Sequence, residues 1–187
     1  MRLFVALKIP AEVREKIAAL VQELREVEPQ AKWIRAENLH VTLKFIGEPG
    51  SSTAAEIGAA LSKVRTSREI SGQFQGLGFF PNYYIPNVLW TGITGAPELV
   101  SLAAQIDKNL SEIGIPYEAR PFSPHLTLAR LHEVETHDKL RAAIGKKVRI
   151  KFGSLAVREF HLVESKLKPT GAEYTTLQSF PFVAAEA

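Results

Sequence analysis

The pattern His-apolar-Thr-apolar occurs twice in this chain, as His40-Val41-Thr42-Leu43 and as His125-Leu126-Thr127-Leu128, with an 85-residue offset. In a strand, residues i and i+2 share a face. Each copy therefore sets an imidazole and a hydroxyl on one side and two aliphatic side chains on the other. The apolar side pins the register, because a slip of one residue would bury the histidine and expose the leucines. One copy alone reads as a strand with a half-buried polar face. With five histidines in the chain, two chance copies are expected in only about one chain in a thousand of this composition.

The elements around the two copies repeat in the same order. Residues 2–9 read as a strand, and Pro10 opens an amphipathic helix over 11–28 with Val13, Ile17, Leu20, Val21 and Leu24 at helical spacing. A strand at 39–46 carries the first copy, Ser52-Thr53 caps a helix over about 53–65, and a strand follows at about 69–79. The second half gives a strand at 87–94, a helix from Pro97 to about 113, a strand at 124–130 with the second copy, a short helix near 136–144 and a strand at about 148–157. The opening strands share the offset, with Leu3-Phe4-Val5 falling on Val88-Leu89-Trp90. Phe74 and Leu77 match Phe152 and Leu155 at a slightly shorter one. Two such units predict an α+β fold with two mostly antiparallel sheets, helices on their outer faces, a pseudo-two-fold and a cleft between two lobes. The expected organisation is one bilobal domain over 1–183, with halves at about 2–80 and 87–157, a terminal hairpin at 158–183 and a frayed tail at 184–187.

Composition narrows the chemistry. There is no cysteine, which removes disulfides, thiol nucleophiles and cysteine-bound zinc. The first ten residues are too short an apolar run for a signal peptide, and no stretch has the length of a membrane span. A soluble, cytoplasmic monomer without membrane association is the expectation. The net charge of +3 is unevenly spread: residues 138–168 hold nine basic and three acidic residues, against 14 basic and 17 acidic elsewhere. That segment suits either a polyanion surface or a solvated strand and loop face.

If the two polar faces line one cleft, each half supplies one imidazole and one hydroxyl. Neutral imidazole can take a proton from an attacking oxygen while imidazolium returns one to the departing oxygen. Thr42 and Thr127 can donate to non-bridging phosphate oxygens. Strict alternation adds Lys44 to the cleft and turns Phe45 to the core. Arg130 falls on the face opposite His125, so a role for it in substrate binding requires a bulge. HxT is not HxH, and neither copy has a carboxylate at ligand spacing, so no metal or other cofactor is expected. His132, His137 and His161 lack such a context and read as surface or structural residues. Neither a G-x-S-x-G elbow nor a glycine-rich phosphate loop is present. Aromatics between Phe79 and Pro86 can stack on a base or pack among themselves, and Trp33 reads as structural.

At these residues the chain resembles the two-histidine (2H) phosphoesterase superfamily, and within it the RNA 2′,3′-cyclic phosphodiesterases historically called 2′-5′ RNA ligases. The match includes Arg2 to Leu7, Trp33 through Gly47, Gly78-Phe79-Phe80-Pro81, Val88-Leu89-Trp90, Phe122 through Arg130, Glu164-Ser165 and Gly171 through Tyr174. The resemblance implies hydrolysis of a 2′,3′-cyclic phosphate at an RNA 3′ end to a 2′-phosphomonoester, with reverse 2′-5′ ligation open to the same pair. It implies His40 as proton donor, His125 as proton acceptor, and Thr42 and Thr127 as phosphate grips; spacing alone does not tell the histidines apart. A small cyclic nucleotide or ADP-ribose cyclic phosphate as substrate, or a non-catalytic RNA-end binder, are the alternatives.

Overall fold

The computed structural model describes residues 1–132 and 136–186; of the tail, Ala187 lies outside them. The strand β1 (Arg2–Lys8) is buried from Leu3 through Leu7. A run that is apolar without alternation is what a strand covered on both faces requires. Leu3, Val5 and Leu7 enter the main core, while Phe4 and Ala6 join Val163 and the half-buried Tyr174 in a small second cluster on the opposite face.

Two antiparallel sheets hold the strands. The first has the order β3 (His40–Gly47), β1, β8 (Glu159–Lys168), β9 (Gly171–Pro181). The second runs β2 (Lys32–Trp33), β6 (His125–Arg130), β5 (Pro86–Thr94), β4 (Ile70–Pro81), β7 (Lys151–Val157). One continuous hydrophobic cluster draws on both sheets and on all four helices. Among the described residues no helix is long and apolar enough to cross a membrane.

The helices follow the predicted periodicity. In α1 (Ala11–Val27) the five apolar residues at helical spacing are the buried ones. The helix α2 (Ala54–Leu61) starts at a capping box, with Glu56 N–H donating to Thr53 Oγ1 at 3.1 Å and Thr53 N–H to Glu56 Oε2 at 2.7 Å. It ends before the expected residue 65, because Lys63 and Val64 bond back three residues, not four, and tighten the last turn. The helices α3 (Glu98–Ser111) and α4 (Asp138–Gly145) bury Leu99, Leu102, Ile106 and Leu110, and Leu140 and Ile144.

The lobes are not the two sequence halves. The third strand of the first half, β4, pairs with both β5 and β7, so Phe74 and Phe152 lie in adjacent strands of one sheet. The helices cross over as well: α1 leaves the four-stranded sheet and packs on β7 and α4, and α3 leaves the five-stranded sheet and packs on β3 and α2. The equivalence that survives is β3-β1-β8 with β6-β5-β4. Within it the opening strand is offset by one residue from the sequence expectation. Ala6 faces Thr42 and Val5 faces Lys44, as Trp90 faces Thr127 and Leu89 faces Ala129. Phe4-Val5-Ala6 thus corresponds to Val88-Leu89-Trp90.

Candidate active site

On β3 the side chains of His40 and Thr42 are half-buried, and Val41 and Leu43 enter the core. On β6 the same holds for His125 and Thr127 against Leu126 and Leu128. The two strands belong to different sheets and contact each other where the sheets meet. Between them runs the segment 32–39, tied to β6 by Lys32–Arg130 and Trp33–Ala129 pairing and by Ile34 N–H donating to Leu128 O at 2.9 Å.

Both imidazoles are held in the same way. His40 Nδ1–H donates to the carbonyl of Asn38 at 2.6 Å, and His125 Nδ1–H donates to that of Ser123 at 2.7 Å. An Nδ1–H committed to a carbonyl leaves Nε2 to exchange protons with a ligand. The rings are also confined by aromatics. His40 stacks on Phe4 (centroids 4.7 Å apart, 28° between planes) and meets Tyr174 edge-on at 5.3 Å. His125 meets Phe80 edge-on at 4.9 Å, and Phe80 leans on Trp90 at 5.1 Å. Trp90 covers Gly78, where any Cβ would stand within 2.5 Å of the indole ring.

Burial lowers the pKa of both histidines below the ordinary imidazole range, and the carbonyl acceptors offset this only in part. Desolvation penalises imidazolium, so both rings favour the neutral form in the free protein. A phosphate between them would reverse that preference by pairing with the proton.

A β-bulge takes one sequence-predicted site residue out of the cleft and leaves another exposed at the end of its strand. In the β1–β3 ladder the partners step from Ala6–Thr42 to Val5–Lys44, leaving Leu43 as the extra residue. Beyond it the faces exchange. Lys44, expected in the cleft, is 6% exposed. Its ammonium donates to Asp107 Oδ1 of α3 at 2.5 Å and to Pro116 O at 2.7 Å. Phe45, expected in the core, is 60% exposed and lies 6.4 Å from Phe4 on the histidine face. The same bulge recurs in β6, where Leu128 is the extra residue between Thr127 and Ala129. Ala129 is buried there, as Lys44 is in β3, and Arg130 is exposed like Phe45. The tyrosine hydroxyl of Tyr174 registers Arg130: burial pushes its pKa up, and Arg130 and Arg2 pull it partly back.

Phe45 and the aromatic walls Phe4 and Tyr174 were not found from sequence. One signal was available for Phe45, because its counterpart at the same offset is the charged Arg130, while Lys44 corresponds to the apolar Ala129. In the 79–86 stretch the reading of aromatics packing among themselves holds for part of the segment. Phe80 reaches His125, whereas Phe79, Tyr83 and Tyr84 pack on one another and Arg141 lies 5.7 Å over Tyr83. Trp33 is structural, its Nε1–H donating to Glu28 O at 2.9 Å. His132 bonds the Gln30 carbonyl, His137 is buried against Glu28, and His161 is buried beside Ser179. Among the described residues no cluster of three or more His, Cys, Asp or Glu could hold a metal ion.

The sequence matches the family described as LigT like phosphoesterase over residues 7–90 and 94–174. It is 36% identical over 180 residues to the RNA 2′,3′-cyclic phosphodiesterase of Archaeoglobus fulgidus, covering 96% of this chain and 99% of that one. To the protein of the same name from Methanocaldococcus jannaschii it is 32% identical, over 96% of this chain and 100% of that one. The fold is similar to that of TT0787 from Thermus thermophilus, with a TM-score of 0.77, 31% identity and full coverage of both chains. It is also similar to Escherichia coli LigT in complex with 3′-AMP, with a TM-score of 0.76, 27% identity and 97% coverage of each chain.

Proposed function

The chain belongs to the LigT-like phosphoesterases, and on that basis we propose that it hydrolyses 2′,3′-cyclic phosphates at RNA 3′ ends to 2′-phosphomonoesters. The single observation that carries this reading is the doubled imidazole. Two histidines on equivalent strands present Nε2 with Nδ1 locked on the carbonyl two residues back, each beside a threonine hydroxyl. The curated relatives, named RNA 2′,3′-cyclic phosphodiesterases, supply the substrate class.

In the proposed step, His125 Nε2 takes a proton from water as the water oxygen bonds to phosphorus. The bond from phosphorus to O3′ breaks, and His40 Nε2–H protonates the departing oxygen. Thr42 and Thr127 donate to the non-bridging oxygens, where charge accumulates. The division of labour follows the family resemblance, since both imidazoles are held identically. Phe45 and Arg130 occupy equivalent rim positions and offer an aromatic face and a guanidinium plane to the terminal base. With a 5′-hydroxyl in place of water the same forward step forms a 2′-5′ linkage: its oxygen bonds to phosphorus and gives its proton to His125, while O3′ departs with the proton of His40. All four groups come from a single chain, so a monomer suffices.

The test is turnover of a 2′,3′-cyclic mononucleotide in EDTA, with the product identified by phosphorus NMR. A 2′-phosphate formed at an undiminished rate is the expected result. A strict metal requirement, or a 3′-phosphate product, would overturn the mechanism.

The histidine environments set the pH dependence. The reactive form has one imidazole protonated and one neutral, so kcat/KM should be bell-shaped and centred on the mean of the two macroscopic pKa values. Both are lowered by burial, which puts the optimum of kcat/KM on the acid side of about pH 6.5. An optimum above pH 7.5 would contradict that electrostatic reading.

A further inference from the structure

An RNA end brings more than its cyclic phosphate, and the fold shows where the rest of the strand meets positive charge. We infer that single-stranded RNA 5′ of the reacting nucleotide leaves the cleft over a basic rim of Arg130, Lys32, Arg35 and Arg2. It does not cross the basic stretch around Lys146-Lys147 and Arg149. The inference rests on the proposed RNA-end activity and adds the surface that distinguishes RNA from a small cyclic nucleotide.

The rim is contiguous with the site. Lys32 stands opposite Arg130 in the β2–β6 ladder, one strand beyond the exposed end of the His125 strand. Ile34 N–H to Leu128 O holds the chain against β6 there, and Arg35 leads through a single 3-10 turn, Ala36–Asn38, to His40. The β8–β9 turn closes on the same place. Asn38 Nδ2–H donates to Ala172 O at 2.9 Å, and the Arg35 guanidinium lies so close to Gly171 that a Cβ there would stand 3.2 Å from Nη2. Arg2, at the start of β1, acts with Arg130 on Tyr174, the ring that walls His40.

The acidic groups of this region do not cancel the charge. Glu164 and Glu173 are engaged by Lys166 and Lys168 at 3.7 and 2.6 Å, and Glu37 approaches Arg35 only to 3.9 Å. Lys32, Arg35, Arg2 and Arg130 are all exposed. By contrast, Lys146, Lys147 and Arg149 precede β7, at the edge of the sheet farthest from β2. Strands β5 and β4 stand between β7 and the His125 strand. Lys147 is drawn to Glu23 of α1 at 3.3 Å. The basic segment read from sequence therefore splits, and β5 and β4 separate its Lys146, Lys147 and Arg149 from the His125 strand.

The experiment measures kcat/KM on a 2′,3′-cyclic mononucleotide and on an oligoribonucleotide of about ten residues ending in the same group, across a salt series. The Lys32→Gln/Arg35→Gln variant should keep the mononucleotide rate, which also reports that the site is folded. It should lose roughly tenfold on the oligonucleotide, and its salt slope should flatten by about 0.7 per phosphate contact removed. Lys32→Gln alone should flatten it by about half as much. Lys146→Gln/Lys147→Gln/Arg149→Gln should match wild type on both substrates. Unchanged oligonucleotide kinetics in the rim variant, or a loss confined to the second set, would overturn the inference while leaving the activity standing. A wild-type protein inert on both substrates would overturn the activity itself.

Discussion

Alanine at His40 or at His125 is expected to lower kcat on a 2′,3′-cyclic phosphate by about 10²–10⁴-fold, the range over which a positioned acid or base acts. The two losses should not multiply. A proton taken without one delivered still leaves the leaving oxygen as an alkoxide, so the double variant should fall little below either single one. The pH profiles separate the roles. Removing the base abolishes the acid limb, because that limb records its protonation, and removing the acid abolishes the alkaline limb. His125→Ala should therefore lose the acid limb and His40→Ala the alkaline one; the reverse pattern would exchange the assignments. Asparagine variants, which retain more side-chain volume between Phe4 and Tyr174 or beside Phe80, guard against collapse of the site. Either alanine variant keeping more than roughly a tenth of wild-type activity would remove that residue from general acid–base chemistry.

Lys44→Met is expected to destabilise the protein by about 3–5 kcal/mol, the usual cost of breaking a buried ion pair from one side. For a chain of this size that lowers the melting temperature by on the order of 10 °C. The pair is enclosed, with side-chain exposures of 5% for Lys44 and 14% for Asp107. Among the described residues, methionine would leave the carboxylate with only the Glu118 N–H, which reaches both its oxygens at 3.1 Å. Replacing Asp107 by leucine in the same chain should recover much of the loss, since an apolar pair of similar volume removes the desolvation problem. Activity should fall as well. Lys44 also fastens Pro116 O, and that connection leads into Ser123, whose carbonyl orients His125. If instead Lys44→Met kept its melting temperature while KM for the cyclic phosphate rose, the ammonium would be a phosphate ligand after all.

Lys44 also shows where reading by period stops. Alternation along His40-Val41-Thr42 holds because each residue has its own partner on β1. The next step fails because two residues of β3 share one step of β1, and that is a property of the pair of strands. Nothing in the local string His-Val-Thr-Leu-Lys-Phe marks the bulge. Comparison of the two halves carries a hint, because Ala129 and Arg130 stand where Lys44 and Phe45 do. The one-residue error in aligning the opening strands has the same origin: side-chain type alone does not separate an 84-residue offset from an 85-residue one.

The repeated HxT motif, the helix faces of α1 and α3 and the Thr53 cap were determined by the sequence alone, because periodicity and capping are local and each residue reports its own environment. Which sheet β4 joins, which helix covers which sheet, and which aromatics wall the imidazoles were decided only in the tertiary structure. Those choices depend on pairings between segments such as β4 with β7, or Tyr174 with His40, that are far apart in the chain. The proposed catalytic pair could be named from the sequence because the proposed chemistry requires those residue types in those positions. Its surroundings could not, because an aromatic ring or a lysine becomes a wall or an anchor only through what the fold brings against it.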